Sequence, residues 1–205
     1  MGLQVRFRKL RALEVAATAI CAALYAGGSL ATAYIPTPWV VQLRPAVVIP
    51  AVFAVIFGPF VGGVGAAIGT FIASIITYGS PILTLFSGFW ANLVCFYLLG
   101  KLSRPFNHRN FAAGITVGFL AGSIIIGLGL WLLFAYLYFL IPVGTYAYVV
   151  WKRALPALLK DPAMWVLGAI VWTFATGAIC TYLIGLPLLH VIKKAYPELL
   201  MSPRI

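Results

Sequence analysis

Apolar residues run through this chain in long blocks separated by short basic or proline-bearing joints. The first block extends from Ala12 to Ile35, and residues 59–78, 82–100, 110–141 and 163–189 hold no Lys, Arg, Asp or Glu except at an end. Leu43 to Gly58 holds a single charge, Arg44. A helix needs roughly 20 apolar residues to cross a hydrocarbon core of about 30 Å. The pattern predicts an all-α membrane protein of one integral domain, with six transmembrane helices over 11–35, 40–57, 60–78, 82–103, 110–140 and 163–192. The second is short and carries Pro45 and Pro50, so it reads either as a straight span or as a broken or re-entrant helix. The longest loop, 140–162, contains Pro142, Pro156 and Pro162 and leaves no room for a soluble domain.

Charge fixes the direction in which such a bundle is threaded. Of 205 residues only 8% are charged and 63% are hydrophobic, too few charges to wet the surface of a soluble domain. With six spans, ten basic residues collect on one side (Arg6, Arg8, Lys9, Arg11, Lys101, Arg104, Arg109, Lys193, Lys194, Arg204), and four on the other (Arg44, Lys152, Arg153, Lys160). Were the second segment not to cross, the split would be seven against seven. The positive-inside rule therefore favours six spans with both termini cytoplasmic, in a multi-pass cell-membrane protein. The net charge of +11 is scattered over short loops, which argues against nucleic acid as a partner. The basic amino-terminal stretch followed by an apolar run reads as a first transmembrane helix that stays attached rather than a cleaved signal.

The ionisable inventory excludes several kinds of chemistry. Only Glu14, Asp161 and Glu198 are acidic, and none is expected near the bilayer midplane, where an ion-driven pump needs a carboxylate. No phosphate-binding Gly-x-x-x-x-Gly-Lys-Ser/Thr loop occurs. His108 and His190 lie far apart in sequence, and Cys21, Cys95 and Cys180 have no metal-ligand spacing, so neither a metal, a cofactor nor an enzymatic centre is expected.

What the helices offer instead is small-residue faces and an outer cluster of polar and aromatic groups. Ala12, Ala16, Ala19 and Ala23 share one face of the first helix, where another helix can approach closely, either within the bundle or from a partner. Gly62, Gly65 and Gly69, and Gly114, Gly118 and Gly122, read as internal packing faces. On the outer side, Pro36 and Pro38 stiffen a loop whose Trp39, Gln42 and Arg44 are placed to close over a ligand. Asn92 lies near mid-depth of the fourth span, and Trp131 and Tyr136 near the outer end of the fifth. Trp165, Trp172 and Thr176 follow on one face of the sixth. Rings at Trp131, Trp165 and Trp172 suit a planar heterocycle, and Arg44, with Lys152 and Arg153 on the same side, favours an anionic group on it. Interface anchoring accounts for Tyr138, Tyr146 and Tyr148.

The run Leu43-Arg-Pro-Ala-Val-Val-Ile-Pro, the Phe57-Gly58-Pro59 turn and the glycine-rich segment after it resemble the substrate-binding (S) components of energy-coupling factor transporters. The six-helix layout matches over nearly the whole chain, and the sequence over 12–70. The resemblance implies a subunit that captures a vitamin or related micronutrient from outside. It implies docking through the alanine stripe on a transmembrane coupling protein, with two ABC-type ATPases supplying the energy. It also implies a ligand among the outer ends of the last three helices under the first loop. The same six-helix form also fits a membrane scaffold of the cell-shape type that transports nothing, which would use the stripe but need no ordered outer pocket.

Overall fold

The computed structural model describes residues 12–32 and 39–197. Expectations resting on the basic amino terminus, on Pro36 and Pro38, or on Glu198 and Arg204 lie outside the described residues. Every regular element among the described residues is helical: α1 (Ala12–Thr32), a 3-10 turn (Pro45–Val47) leading into α2 (Val48–Ile56), α3 (Pro59–Tyr78), α4 (Ile82–Phe86), α5 (Gly88–Leu102), α6 (His108–Ala135), α7 (Tyr146–Lys160), α8 (Pro162–Cys180) and α9 (Leu186–Ala195). A π turn at Thr181–Gly185 joins α8 to α9 without a break. Among the described residues four helices are long and apolar enough to cross a membrane: Ala12–Thr32, Pro59–Tyr78, His108–Ala135 and Pro162–Ala195.

The two remaining apolar segments are shorter than the sequence pattern predicts. The expected helix over 40–57 begins only at Pro45, giving a 12-residue segment through Ile56 that rises about 18 Å. The expected helix over 82–103 is broken at Ser87 into α4 and α5, which hold 5 and 15 residues. Arg104 closes the far end of α2, donating to the carbonyls of Val55 and Ile56 at 3.1 and 3.4 Å, where a helix leaves acceptors without intrahelical partners. The segment 140–162, expected to be a loop, contains α7. Its residues Ala147, Ala154 and Leu158 are buried against Tyr78, Leu133, Phe134 and Trp165, while Lys152, Arg153 and Lys160 are exposed. The sequence masked this helix because Lys152, Arg153, Pro156 and Lys160 interrupt its apolar run.

Neighbour pairs give the threading. Gly65 of α3 meets Thr18 and Cys21 of α1, and Gly69 meets Ala22 and Tyr25, so α1 and α3 run parallel. α2 carries the chain back between them, starting beside Gly28 and ending beside Gly100. α5 is antiparallel to α3, with Gly63 against Leu93 and Tyr97. α6 is antiparallel to α5, with Gly114 against Leu99 and Gly122 against Ala91 and Cys95. α8 is antiparallel to α6, with Gly127 against Val166 and Ile170. The chain thus reverses at each joint, and Ala12 and Ala195 finish at the same end of the bundle.

Backbones approach this closely because the facing positions are glycine or alanine. Where lipid-like surroundings remove the hydrophobic drive between helices, close van der Waals contact takes its place. The stripe Ala12, Ala16, Ala19 and Ala23 takes no part in it: all four are exposed, beside Leu13, Val15, Ile20 and Leu24, each more than half exposed. The opposite face of α1, with Ala17, Cys21, Ala22, Tyr25 and Ser29, is the one that packs on the bundle.

A side chain at Gly118 would meet the Cys95 carbonyl oxygen at 2.6 Å, with rigid backbone as the obstacle. Gly118→Leu is expected to lower stability by at least about 1–3 kcal/mol. Gly27, with nothing within 4 Å of an added Cβ, should accept alanine with no loss and a gain of up to about 1 kcal/mol from helix propensity. Thermal unfolding of the two variants in detergent separates these outcomes.

Candidate functional site

A cavity of about 110 Å³ lies between the two hydrophobic clusters of the bundle. Its walls come from α1 (Tyr25), α3 (Thr70), α5 (Asn92), α6 (Ser123) and α8 (Thr173, Thr176), with segment 40–44 as one side. The volume corresponds to several water-sized spheres at about 10–15 Å³ each, room for a compact organic molecule.

The key side chain is Arg44. Its Nη1 donates to Thr70 Oγ1 at 3.2 Å and its Nη2 to Gln42 Oε1 at 3.1 Å. Thr70 is 1% exposed and lies eleven residues into α3, about 16 Å from the Pro59 end of a helix about 30 Å long. The guanidinium is therefore held near the middle of α3, away from either end of that helix. Segment 39–44 reaches it by folding down into the bundle, which is why α2 starts late. One residue of this segment is strained: Val40, β-branched, has φ 67°. That conformation costs of order 1–3 kcal/mol and persists where neighbours over-determine it. Here they do so from both sides, by Arg44 on Thr70 and by Trp39, packed over Gly168 with its ring 6.1 Å from that of Trp172.

Asn92 faces the same cavity. Its Nδ2 donates to the Gly88 carbonyl at 2.7 Å, and its Oδ1 accepts from the Tyr25 hydroxyl at 3.4 Å. Asn92 is thus an interhelical link and a wall residue at once.

Of the residues expected around a ligand, Gln42, Arg44, Asn92 and Thr176 come together on the cavity, whereas Trp39, Trp131, Tyr136, Trp165 and Trp172 do not line it. Trp165 is 3% exposed and packs on Phe134 under α7. Trp131 meets Tyr136 edge-on, and Tyr136 is 60% exposed. Trp39 and Trp172 support segment 39–44 from behind. A tryptophan's bulk drew attention in the sequence, but that bulk fills space between helices. Aromatic stacking by Trp131, Trp165 and Trp172 on a heterocycle is therefore replaced by a lining in which Tyr25, Tyr78 and Phe119 are the rings. Lys152 and Arg153 do not line it either; Lys152 sits over the Tyr148 ring, 4.9 Å from its centroid.

Sequence reasoning overlooked Tyr25, Thr70, Ser87, Ser123 and Thr173, all on the cavity. One signal was available for them: each is a hydroxyl inside a charge-free block, where lipid gives it no partner. The two histidines are apart, His108 bonded to Tyr182 and His190 edge-on to Phe106. Among the described residues no group of three or more His, Cys, Asp or Glu is placed to hold a metal.

A Cβ at Gly168 would fall 2.2 Å from Trp39 Nε1. Gly168→Val is expected to lift Trp39 and with it segment 39–44, weakening occupancy of the cavity on the order of tenfold, about 1.4 kcal/mol, while helix content is unchanged. Tryptophan fluorescence quenching by bound ligand, set beside circular dichroism, reads both.

No protein-family model, curated protein or solved structure matches this chain.

Proposed function

We propose that this chain is the substrate-capture subunit of an energy-coupling factor type importer for a vitamin or related micronutrient. It sits in the cell membrane with six spans and both termini cytoplasmic. The observation that carries the reading is the Arg44 cavity: a largely apolar site with a few convergent polar side chains, midway along α3, covered by an in-folded segment at the end of the bundle opposite Ala12 and Ala195. A scaffold has no use for such a site, a partly buried guanidinium held between Thr70 and Gln42 on the wall of a cavity. Two further features support the reading. The chain alternates direction through six apolar segments, in keeping with the ten-to-four split of basic residues. The sequence carries no nucleotide-binding loop, so uptake would draw energy from a transmembrane coupling protein and two ABC-type ATPases.

The alanine face of α1 is the docking surface in this reading. Ala12, Ala16, Ala19 and Ala23 are exposed and leave a shallow, smooth track about three turns long, into which a second helix fits at close range. No residue of the track reaches the cavity, so capture and docking are separable.

Replacing Ala16 and Ala19 with Trp should abolish uptake in cells that supply the coupling subunits and leave binding by the purified protein within about twofold, or 0.4 kcal/mol. Loss of binding and uptake together would count against the stripe as a docking face, and uptake unaffected by both substitutions would remove the coupling model. Reporter fusions after Ile205 and within 101–109 should read cytoplasmic, and one beside Lys152 external; an external carboxy terminus would overturn the six-span threading.

A further inference from the structure

We infer that the cavity selects a compact organic anion, a carboxylate that also carries hydroxyl or N–H donors. The inference rests on the cavity being a capture site and names the class of molecule it takes. Three groups of atoms point the same way.

The first is Arg44. Its two side-chain hydrogen bonds go to neutral oxygens, Thr70 Oγ1 and Gln42 Oε1, and no carboxylate lines the cavity. Glu14 stands in the first turn of α1, eleven residues or about 16 Å along the helix from Tyr25. Asp161 caps α8, accepting from the Met164 amide at 3.0 Å. A guanidinium at this depth carries its full charge and is stabilised by an anion brought from outside.

The second is the pair of helix breaks. Both short segments begin at the level of Arg44. The helix starting at Pro45 follows it directly, and α5 starts at Gly88, where an added Cβ would lie 3.7 Å from Thr70 Oγ1. Neither start has a side-chain cap, and Val47, Ser87 and Gly88 line the cavity. At the start of α5 the first amides have no side-chain cap and the positive end of that helix dipole lies beside the cavity. At the Pro45 start, by contrast, Pro45 has no N–H and the Val47 amide is given to the Arg44 carbonyl. The opposing carbonyls at the end of α4 are already occupied, Thr84 O by the Ser87 amide and Leu83 O by the Ser87 hydroxyl. Two of the four terminal carbonyls of α4 are thus taken up within the break itself.

The third is the far wall. Ser123, Thr173 and Thr176 each spend their one hydroxyl proton on a helix carbonyl, of Leu120, Ala169 and Trp172 respectively. What they offer the cavity is lone pairs, which call for donors on the ligand. Inorganic phosphate, though it carries P–OH donors, lacks an apolar body to meet the largely apolar lining, and a cation meets Arg44 with repulsion.

The test uses the full-length protein in detergent and a panel of hydroxylated monocarboxylates, each matched to its primary amide. 3-Hydroxybenzoate with 3-hydroxybenzamide is one such pair, and inorganic phosphate is a separate arm. Thermal shift and calorimetry should find acids that bind about 10-fold to 100-fold tighter than their amides, the range for hydrogen bonds to a charged partner. That preference should disappear in Arg44→Gln and persist in reduced form in Arg44→Lys. The acid-to-amide comparison on the unaltered protein stands even if Arg44→Gln does not fold. Acids no better than amides, tighter binding of cationic analogues, or phosphate binding as well as any acid would each overturn the inference. A neutral or cationic ligand bound tightly, with uptake still dependent on Ala16 and Ala19, would overturn the anion class and leave the capture reading standing. Acid binding with uptake indifferent to the alanine face would do the reverse.

Discussion

A guanidinium held half-way down an apolar bundle sets the terms for everything around it. At the level of Thr70 the partly buried Arg44 has its donors met by neighbouring side chains. Meeting them requires Thr70 on α3, Gln42 two residues back in the chain, and a backbone that enters the bundle instead of passing over it. That entry leaves only 12 residues for the segment Pro45–Ile56. The strain at Val40 and the packing of Trp39 on Gly168 follow from the same demand.

The bundle tolerates two truncated helices because its other contacts are so close. Gly65 and Gly69 on α1, Gly63 on α5, and Gly114, Gly118 and Gly122 of α6 on α5 bring backbones together along most of their length. Dispersion gained there is insensitive to polarity, so it survives where the hydrophobic effect between helices does not. Broken backbone at membrane depth is tolerated only where protein or a polar cavity surrounds it, and the starts of α5 and of the segment at Pro45 both meet that condition. Breaks, cavity and buried charge are one arrangement.

Function, in the reading proposed above, divides between two surfaces that share no residue. The cavity recognises a ligand by charge and by lone pairs, and the exposed face of α1 offers shape alone. α7 lies apart from both. Its buried Ala147, Ala154 and Leu158 cover Trp165 and Phe134, and its basic residues face outward. It closes the upper hydrophobic cluster in place of the loop that its mixed composition suggested.

By itself the sequence determined the all-helical, apolar character of the chain and the small-residue faces, because length, hydropathy and spacing are properties of one segment at a time; the late start at Pro45, the break at Ser87 and α7 lay beyond it. It also singled out Arg44, Gln42, Asn92 and Thr176, since a polar group inside an apolar block is conspicuous without a fold. Only the tertiary structure decided which face of α1 is packed and which is bare, for both faces are rich in small residues. Only it could place the break at Ser87, because a Ser-Gly pair permits a turn inside an apolar run without requiring one. The tryptophans were misjudged for the same reason. A ring's size is written in the sequence, but whether it lines a space or fills one depends on what stands opposite. At Trp165 that is Phe134 and at Trp39 it is Gly168, each contributed by a helix far away in the chain.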